Sequence, residues 1–274
     1  MLIAQISDTH IMDEGVRAYG VIDTAPYLAR AVDQVRRLDP APDVALVTGD
    51  LVDRGLASEY ERLKTLLAPL SMPVFLIPGN HDKRDPLRAV MSEHRYLPRE
   101  GFLHYALEDW PIRLVGLDTV IPGSPAGELC AARLAWIERT LAQEPAKPTM
   151  VFMHHPPFRT NIAHMDQVGL SGSEGFAAVL KRFDHVERVT CGHVHRAMSV
   201  RFGGTVCVTS PSTAHQVILD LRPAAPSVFD LGTPGFMLHH WEDGAGLRSH
   251  VVLIGDAPGP YFFNAAMNKA AGLI

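Results

Sequence analysis

The sequence predicts an α/β fold that is built in layers. Short apolar runs rich in branched residues recur along the first two thirds of the chain, and longer amphipathic stretches separate them. This alternation is typical of parallel strands covered by helices. The 274 residues and an apolar fraction of 47% suffice for one large domain or two small ones with a sizeable core. From about residue 197 the predicted helices stop and strands take over.

The individual elements are predicted from periodicity and from turn residues. Strands are expected at 2–7, 43–49, 73–79, 112–118, 149–155 and 186–192. Helices are expected at 24–38, 58–70, 128–144 and 173–184, with Thr24 and Ser58 as the N-caps of the first two. Two hairpins complete the chain, "MSVRFGGTVCVTS" turning at Gly203-Gly204 and "GFMLHHWEDGAGLRSHVVLI" turning near Asp243-Gly244. This β-rich second half is expected to supply a second sheet.

Composition excludes several classes of protein. The formal net charge of −5 and the lack of a basic cluster argue against a nucleic acid polymer as partner. Three cysteines without a C-x-x-C pair predict reduced thiols and no disulfide framework. The stretch "MLIAQISDTH" has no features of a signal peptide, and no apolar run is long enough to span a membrane. We therefore expect a cytoplasmic protein without a membrane partner.

Polar side chains follow five of the predicted strands, at the point where each strand ends. These residues are Asp8, His10, Asp50, Asn80, His81, His154, His155, His193 and His195. Ligands of open α/β sheets bind outside the carboxyl ends of the strands, so these side chains are expected at one edge. Two pairs, "DTH" and "HVH", have their polar residues two apart, which in extended backbone would aim both side chains at one place.

Seven of these residues are candidate metal ligands, namely Asp8, His10, Asp50, Asn80, His154, His193 and His195. One ion does not need seven ligands, whereas two ions that share a carboxylate do. Asp, His and Asn together suit divalent ions such as Mn, Fe, Zn or Co. A lone histidine after a strand is usually a structural residue, but five such clusters together favour a site with two metal ions.

The series "DTH", "GDLVDRG", "GNHD", "HHPP" and "GHVH", in this order, resembles the calcineurin-like metallophosphoesterase superfamily. The finer resemblance is to bacterial class III cyclic nucleotide phosphodiesterases and to glycerophosphodiesterases, and it continues through "MDQ", "PSTAHQ" and "GPYF". It implies a four-layer α/β/β/α sandwich of two mixed sheets with a small C-terminal β extension. Residues 1–254 would form the catalytic domain, in which 197–254 add mostly second-sheet strands and a cap or dimerisation hairpin, and 255–274 would form a tail.

The resemblance also implies roles for single residues. Asp8, His10 and His195 would bind the first metal ion, Asn80, His154 and His193 the second, and Asp50 would bridge them. His81 would lie by the substrate phosphate without binding metal, and His215 near the substrate end of the pocket. Asp53 is the candidate carboxylate that orients His81 and raises its pKa, so His81 and Asp53 are the expected catalytic residues.

The expected activity is hydrolysis of small phosphodiesters, either 3',5'-cyclic nucleotides or glycerophosphodiesters, by a hydroxide that bridges the metals. A phosphomonoesterase or nuclease of the same superfamily is the alternative, and a non-catalytic metal-binding scaffold is a further one. Asn80 is interpreted as a neutral ligand that leaves the site more positive for an anionic substrate. A left-handed turn conformation would explain this asparagine equally well. Exposed apolar residues in "GPYFF" and around Trp241 predict a homo-oligomer, a dimer or larger.

Overall fold

A computed structural model describes residues 1–273, so Ile274, the end of the predicted tail, lies outside the described residues. The helices are α1 Ala25–Arg36, α2 Ala57–Leu67, α3 Arg84–Val90, α4 Ala131–Gln143, α5 Ala163–Asp166, α6 Ser173–Leu180 and α7 Ala265–Ala270. The first eight strands are β1 Leu2–Ile6, β2 Val44–Thr48, β3 Val74–Ile77, β4 Tyr105–Leu107, β5 Arg113–Leu117, β6 Gly127–Glu128, β7 Thr149–Met153 and β8 Leu170–Ser171. The remaining strands are β9 Val186–Cys191, β10 Met198–Phe202, β11 Thr205–Thr209, β12 Gln216–Val217, β13 Phe229–Asp230, β14 Gly235–Glu242 and β15 Gly246–Leu253.

The first large sheet has five strands in the order β15-β14-β1-β2-β3. β1, β2 and β3 are parallel, with Ile3 opposite Val44 and Ala45 opposite Val74. β14 joins β1 in antiparallel orientation and pairs on its other side with β15. A hairpin from the end of the chain thus completes a sheet that the first 77 residues begin.

The second large sheet has six strands in the order β10-β11-β9-β7-β5-β4. Its four inner strands are parallel, and the edge strands β10 and β4 are antiparallel to their neighbours. β10 and β11 form the hairpin that the Gly203-Gly204 turn predicts. The region after residue 197 therefore contributes two strands to each large sheet.

Helices cover the outer faces of the two sheets and one continuous apolar core fills the interior. α1, α2 and α3 pack beside one another, and α4 packs with α6. The core is made of buried residues from both sheets, such as Leu46 and Phe152, together with helical residues such as Leu28 and Ile137. The predicted four-layer α/β/β/α sandwich of two mixed sheets is confirmed. No helix within residues 1–273 is both long and apolar enough to cross a membrane.

Two local predictions are wrong, and a third is confirmed in position only. Thr24 is the N-cap residue of α1, as predicted, but its side chain makes no capping hydrogen bond, because its hydroxyl donates to the carbonyl oxygen of His10 at 2.8 Å. The N-cap of α2 is Leu56 and not Ser58, and the Glu59 carboxylate accepts the hydrogen bond from the Leu56 N–H at 3.2 Å. Helices also do not stop near residue 197, since α7 forms in the tail with Asn264 as its N-cap.

Candidate metal centre

The carboxyl ends of five parallel strands lie around one centre, and each strand delivers polar side chains to it. β1, β2 and β3 of the first sheet end at Ile6, Thr48 and Ile77, and β7 and β9 of the second end at Met153 and Cys191. The seven predicted ligands follow these five ends within four residues, and the structure brings all of them together. Every one except Asn80 is buried. The strand ends therefore bring these side chains together, and their role as metal ligands stays a prediction.

The backbone of this centre is strained. Seven non-glycine residues within the described chain have positive φ, and five of them are predicted ligands: Asp8, His10, Asp50, His193 and His195. Each such residue costs on the order of 1–3 kcal/mol, and such residues concentrate at functional sites. The paired residues therefore do not converge through extended backbone, as the two-residue spacing suggested, but through left-handed turns. Asn80 is not among the seven, so a left-handed turn does not explain this asparagine.

The first group of ligand atoms comes from Asp8, His10 and His195. The Nε2 atoms of His10 and His195 lie 3.2 Å apart. His195 Nε2 is 3.4 Å from Asp8 Oδ1, and His10 Nε2 is 3.6 Å from Asp50 Oδ2. One cation could bind all four side chains, because their ligand atoms lie within 4.8 Å of one another.

The second group lies on the other side of Asp50. Asn80 Oδ1 is 3.1 Å from His154 Nε2 and 3.0 Å from His193 Nδ1. His154 Nε2 is also 3.4 Å from Asp50 Oδ2. The same carboxylate oxygen of Asp50 thus faces a histidine of each group, which is the geometry that a bridging ligand requires.

In each of the four histidine rings, one nitrogen points away from the centre. The hydrogen bond of this outer nitrogen shows which of the two ring nitrogens carries the proton. The four outer contacts are His10 Nδ1 to Asp53 Oδ1 at 3.1 Å, His154 Nδ1 to the Thr48 carbonyl at 2.9 Å, His193 Nε2 to the Val168 carbonyl at 3.1 Å and His195 Nδ1 to the His215 carbonyl at 2.9 Å. Carbonyl and carboxylate oxygens only accept, so the outer nitrogen of each ring donates and the inner nitrogen of a neutral ring is a lone pair. Lone pairs and oxygens therefore face one another across the centre at 3.0–3.6 Å. These residues fit metal ions, since cations are what such a set of facing acceptors binds.

The buried carboxylates of Asp50 and Asp8 make the centre attractive to positive charge. Burial opposes the charge of Asp50, but His154 and His81 outweigh it and hold the pKa of Asp50 well below its usual range. Burial likewise opposes the charge of Asp8, and His195 lowers its pKa. In return, and against the effect of burial, Asp50 raises the pKa of His154 to about 9. Two fixed negative charges at the bottom of a buried site attract protons or metal ions.

His155, the second histidine of "HHPP", is not equipped to bind metal although its ring lies beside His193. Its Nδ1 is 2.8 Å from the Thr119 hydroxyl and its Nε2 is 3.2 Å from the Pro125 carbonyl. Nε2 therefore donates and Nδ1 accepts, so both nitrogens are used. Burial lowers the pKa of His155 well below its usual value. The ring packs against His193 with centroids 4.5 Å apart and supports that residue.

His81 and Asp53 lie together, but the predicted contact between the His81 ring and the Asp53 carboxylate is not the main one. His81 Nδ1 is 2.8 Å from the backbone carbonyl of Asp53 and 3.4 Å from its carboxylate. The carboxylate lies closer to His10 Nδ1, at 3.1 Å. Asp53 thus orients His10 with its side chain and His81 chiefly with its backbone. Burial opposes the charge of His81, but the carboxylates of Asp50 and Asp53 raise its pKa overall.

A cavity of about 310 Å³ opens over the centre. Its polar floor includes His10, Asp50, Asn80, His81, His193 and His195. Tyr19 and Phe229 form an aromatic wall with ring centroids 5.2 Å apart, and His215 packs against both rings at 5.2 and 5.0 Å. His215 is buried and its Nδ1 has no hydrogen-bond partner within residues 1–273. The predicted substrate residue His215 therefore lies at the cavity and also orients His195 through its carbonyl.

Sequence reasoning missed three residues that hold this centre in place. Thr119 and Thr24 make the contacts to His155 and His10 described above, and no local pattern predicts them because each contact joins distant segments. Asp82 was missed although it is the last letter of "GNHD". Its carboxylate accepts hydrogen bonds from the turns after β2 and β3, which carry Asp50 and Asn80.

Comparisons with known proteins agree with this geometry. The sequence profile described as calcineurin-like phosphoesterase matches residues 1–197. The chain is similar to a probable glycerophosphodiester phosphodiesterase GpdQ of Arcobacter nitrofigilis, with 38% identity over 96% of this chain and 97% of that protein. It is also similar to the 3',5'-cyclic adenosine monophosphate phosphodiesterase CpdA of Haemophilus influenzae, with 31% identity over 93% and 90% of the two chains.

The fold has solved counterparts. The structure is similar to a dimetal phosphatase from Danio rerio with a TM-score of 0.67, at 17% identity and covering 93% of this chain and 99% of that one. At this identity the likeness concerns the fold alone. The profile match spans most of the chain and carries the five strand-end motifs that build the centre. This chain therefore belongs to the calcineurin-like phosphoesterase family.

Proposed function

We propose that this chain is a metal-dependent phosphoric diester hydrolase that cleaves small phosphodiesters, either 3',5'-cyclic nucleotides or glycerophosphodiesters. The observation that carries the proposal is the arrangement of four histidine nitrogens, the Asn80 oxygen and two carboxylates that face one another at 3.0–3.6 Å. Relatives named as glycerophosphodiester and cyclic AMP phosphodiesterases, similar over more than nine tenths of the chain, support the same activity.

Two divalent ions are assigned to the two ligand groups. Asp8, His10 and His195 would hold the first ion, Asn80, His154 and His193 the second, and Asp50 both. The support for a shared ligand is that Asp50 Oδ2 lies within 3.6 Å of both His10 and His154. Mn, Fe, Zn and Co all suit this mixture of imidazole and oxygen ligands.

When bound, such a pair of ions neutralises the phosphate oxygens and makes water acidic enough to attack phosphorus. The chain's own groups complete the site. Asp50 and Asp8 supply two negative charges, and Asn80 adds an oxygen without a third. The carbonyls behind His154, His193 and His195 hold the rings in the tautomer that binds metal.

His81 is proposed as the proton donor to the leaving alkoxide. Its Nδ1 donates to the Asp53 carbonyl, so Nε2 is the ring nitrogen available to substrate. The carboxylates of Asp50 and Asp53 raise the pKa of His81 against the effect of burial, which favours the protonated ring that a general acid needs. Asp53 acts as a positioning residue for both His81 and His10. His215 and Asn80 would contact the substrate beside His81 at the cavity floor.

The cavity favours a small diester over the alternatives. Its volume of about 310 Å³ is at the lower end of ligand pockets, which suits a substrate of one or two small groups. No lysine or arginine is present among the residues that line it. A nuclease needs cationic side chains along a backbone track, and the acidic chain offers none at this site. The apolar wall of Tyr19 and Phe229 is available to the leaving group instead.

The test is a set of initial rates on metal-free protein to which Mn, Fe(II), Co or Zn is added singly. The substrates are cyclic AMP, glycerophosphoethanolamine, bis(p-nitrophenyl) phosphate and p-nitrophenyl phosphate. We expect metal-dependent turnover that is faster for diesters than for the monoester. Equal or faster monoester turnover refutes the diesterase, and binding of two ions without turnover of any substrate indicates a scaffold.

Two further properties belong to the proposal. The three cysteines are free, and Cys191 and Cys207 lie with their Sγ atoms 3.8 Å apart without a bond, which supports a reducing compartment such as the cytoplasm. Tyr261, Phe262 and Phe263 are exposed in the tail, which supports a homo-oligomer in which a second copy covers them.

A further inference from the structure

Asp82 is a buried carboxylate that neither faces the cavity nor belongs to the two ligand groups. Its Oδ2 accepts hydrogen bonds from the backbone N–H groups of Gly79 at 2.7 Å and Leu51 at 3.0 Å. Its Oδ1 accepts from the Val52 N–H at 3.3 Å and the Tyr60 hydroxyl at 2.9 Å. Only 4% of the residue is exposed. Four donors on one carboxylate form a rigid junction.

The three backbone donors come from two of the three turns that carry ligands of the first sheet, the turns after β2 and β3. Leu51 and Val52 directly follow Asp50, and Gly79 directly precedes Asn80. Tyr60 adds a second connection, because its hydroxyl also accepts from the Lys83 N–H at 2.9 Å. Asp82 therefore joins the Asp50 turn, the Asn80 turn and helix α2 at one point.

The two turns are packed as closely as glycine permits. A Cβ at Gly79 would collide with the backbone N and the carboxylate of Asp50. The His81 N–H donates to Asp50 Oδ1 at 2.9 Å, which leaves Oδ2 to face His10 and His154. Asp50 itself has φ of 46°, a conformation that persists only where surrounding contacts enforce it. The N–H groups of Leu51 and Val52, held by Asp82, are among those contacts.

The first ligand group is anchored by other contacts. Asp8 Oδ1 accepts from the His193 N–H at 2.9 Å, and the His10 carbonyl accepts from the Thr24 hydroxyl at 2.8 Å. His195 donates to the His215 carbonyl at 2.9 Å. None of these contacts involves Asp82, so loss of Asp82 should disturb the two groups unequally.

We propose that Asp82 is a positioning residue that sets the distance between Asp50 and Asn80 and thereby the affinity of the second metal ion. This inference rests on the proposed function for the identity of the two ion sites. It predicts that the first ion is bound with little change when Asp82 is altered. The second ion depends on the fixed spacing of the two turns and is weakened.

The experiment is calorimetric titration of metal-free protein with Mn, and separately with Co(II), for the wild type and Asp82→Asn. An amide at this position turns an NH₂ group toward backbone N–H donors and breaks the junction without a large change in size. We expect at least tenfold weaker binding of the second ion and less than twofold change for the first. With bis(p-nitrophenyl) phosphate, the metal concentration for half-maximal rate should rise, and excess metal should restore most of kcat.

Two further variants make the result decisive. Tyr60→Phe removes one of the four donors, and it should weaken the second ion by about two- to fivefold while the first is unchanged. Ile137→Ala lies in the core at α4, away from the junction, and serves as a control that lowers the melting temperature without altering the ratio of the two affinities. Tyr60→Phe decides the question if Asp82→Asn does not fold.

The outcomes separate this inference from the proposed function. Wild-type protein that binds fewer than two ions, or that hydrolyses no diester, contradicts the proposed function. Wild-type protein with two ions and diesterase activity, but with an unchanged affinity ratio in both Asp82→Asn and Tyr60→Phe, overturns the positioning role alone. Equal weakening of both ions in the variants also overturns it, since that is the signature of general destabilisation.

Discussion

His81→Ala should separate the binding of metal from the transfer of a proton. The substitution removes the imidazole that would protonate the leaving group, but it keeps the backbone N–H that donates to Asp50 Oδ1 at 2.9 Å. The orientation of Asp50 between His10 and His154 is therefore retained. We expect both ions to bind with affinities close to those of the wild type, while turnover falls in a manner that depends on the leaving group.

The size of the loss follows from the surroundings of His81. General acids contribute about 100- to 10,000-fold. The side chain of His81 is 29% exposed at the cavity floor, so water can partly replace it and the loss should lie at the lower end. For an alkyl diester such as glycerophosphoethanolamine we expect about 100-fold, which corresponds to about 2.7 kcal/mol of transition-state stabilisation. A nitrophenolate leaves without a proton, so bis(p-nitrophenyl) phosphate should lose about tenfold or less.

The assay compares kcat/KM for the two diesters in the wild type, His81→Ala and the control His250→Ala, whose ring is exposed on β15. Calorimetry on the same preparations counts the ions. The ratio of alkyl to aryl activity should fall at least tenfold in His81→Ala and stay unchanged in the control. Equal loss for both diesters would refute the role as general acid, and loss of an ion would show that His81 is a ligand.

Four further predictions address other parts of the molecule. Asn80→Asp should tighten the second ion and lower turnover in the same preparation, and calorimetry that finds no tighter binding contradicts the reading of Asn80 as a neutral ligand. Burial lowers the pKa of His104 to about 4, so this ring stabilises the fold fully only above its unfolded pKa of 6.5 and costs about 2 kcal/mol by pH 5. His104→Asn keeps an acceptor for the Asp118 N–H and should therefore show a shallower fall of melting temperature between pH 7 and 5, whereas an equal slope contradicts this. Tyr19→Ala should raise KM for cyclic AMP about 2- to 10-fold with kcat nearly unchanged, and an unchanged KM would exclude the aromatic wall from substrate binding. Light scattering at micromolar concentration should give at least twice the 30.0 kDa chain mass, because residues 261–263 expose three aromatic rings, and a monomer refutes this.

Much of the fold and of the site could be predicted from local patterns. Strand ends followed by Asp, His or Asn predicted which seven side chains lie together, because the parallel strands of a sheet end at the same edge and the edges of both sheets meet at this centre. Both late hairpins were predicted from their glycine turns. These predictions succeed because they depend on short-range patterns, which can be recognised in a single sequence.

The misses have a common physical origin. The geometry of "DTH" and "HVH" could not be predicted from extended backbone, since Asp8 and His193 are held in left-handed turns by hydrogen bonds from distant segments. A threonine before a helix is typical of a side-chain cap, but the Thr24 hydroxyl donates instead to the His10 carbonyl in the turn after β1. Asp82 looked like an ordinary turn residue, because its four donors come from three separate segments. Contacts between distant segments leave no local pattern.

The pairing of β1 with β14 has a consequence for biosynthesis. β1 carries the first two ligands into the centre, yet the strand that covers its outer edge ends at Glu242. At ribosomal rates of about 5–20 residues per second, roughly 10 to 50 s pass between the emergence of the two strands. Throughout that interval the nascent chain exposes an apolar edge able to pair with another polypeptide. All seven predicted ligands are synthesised before this edge is covered, because His195 precedes the first residue of β14 by 40 positions. Chaperones that bind exposed strand edges would protect the chain during this interval.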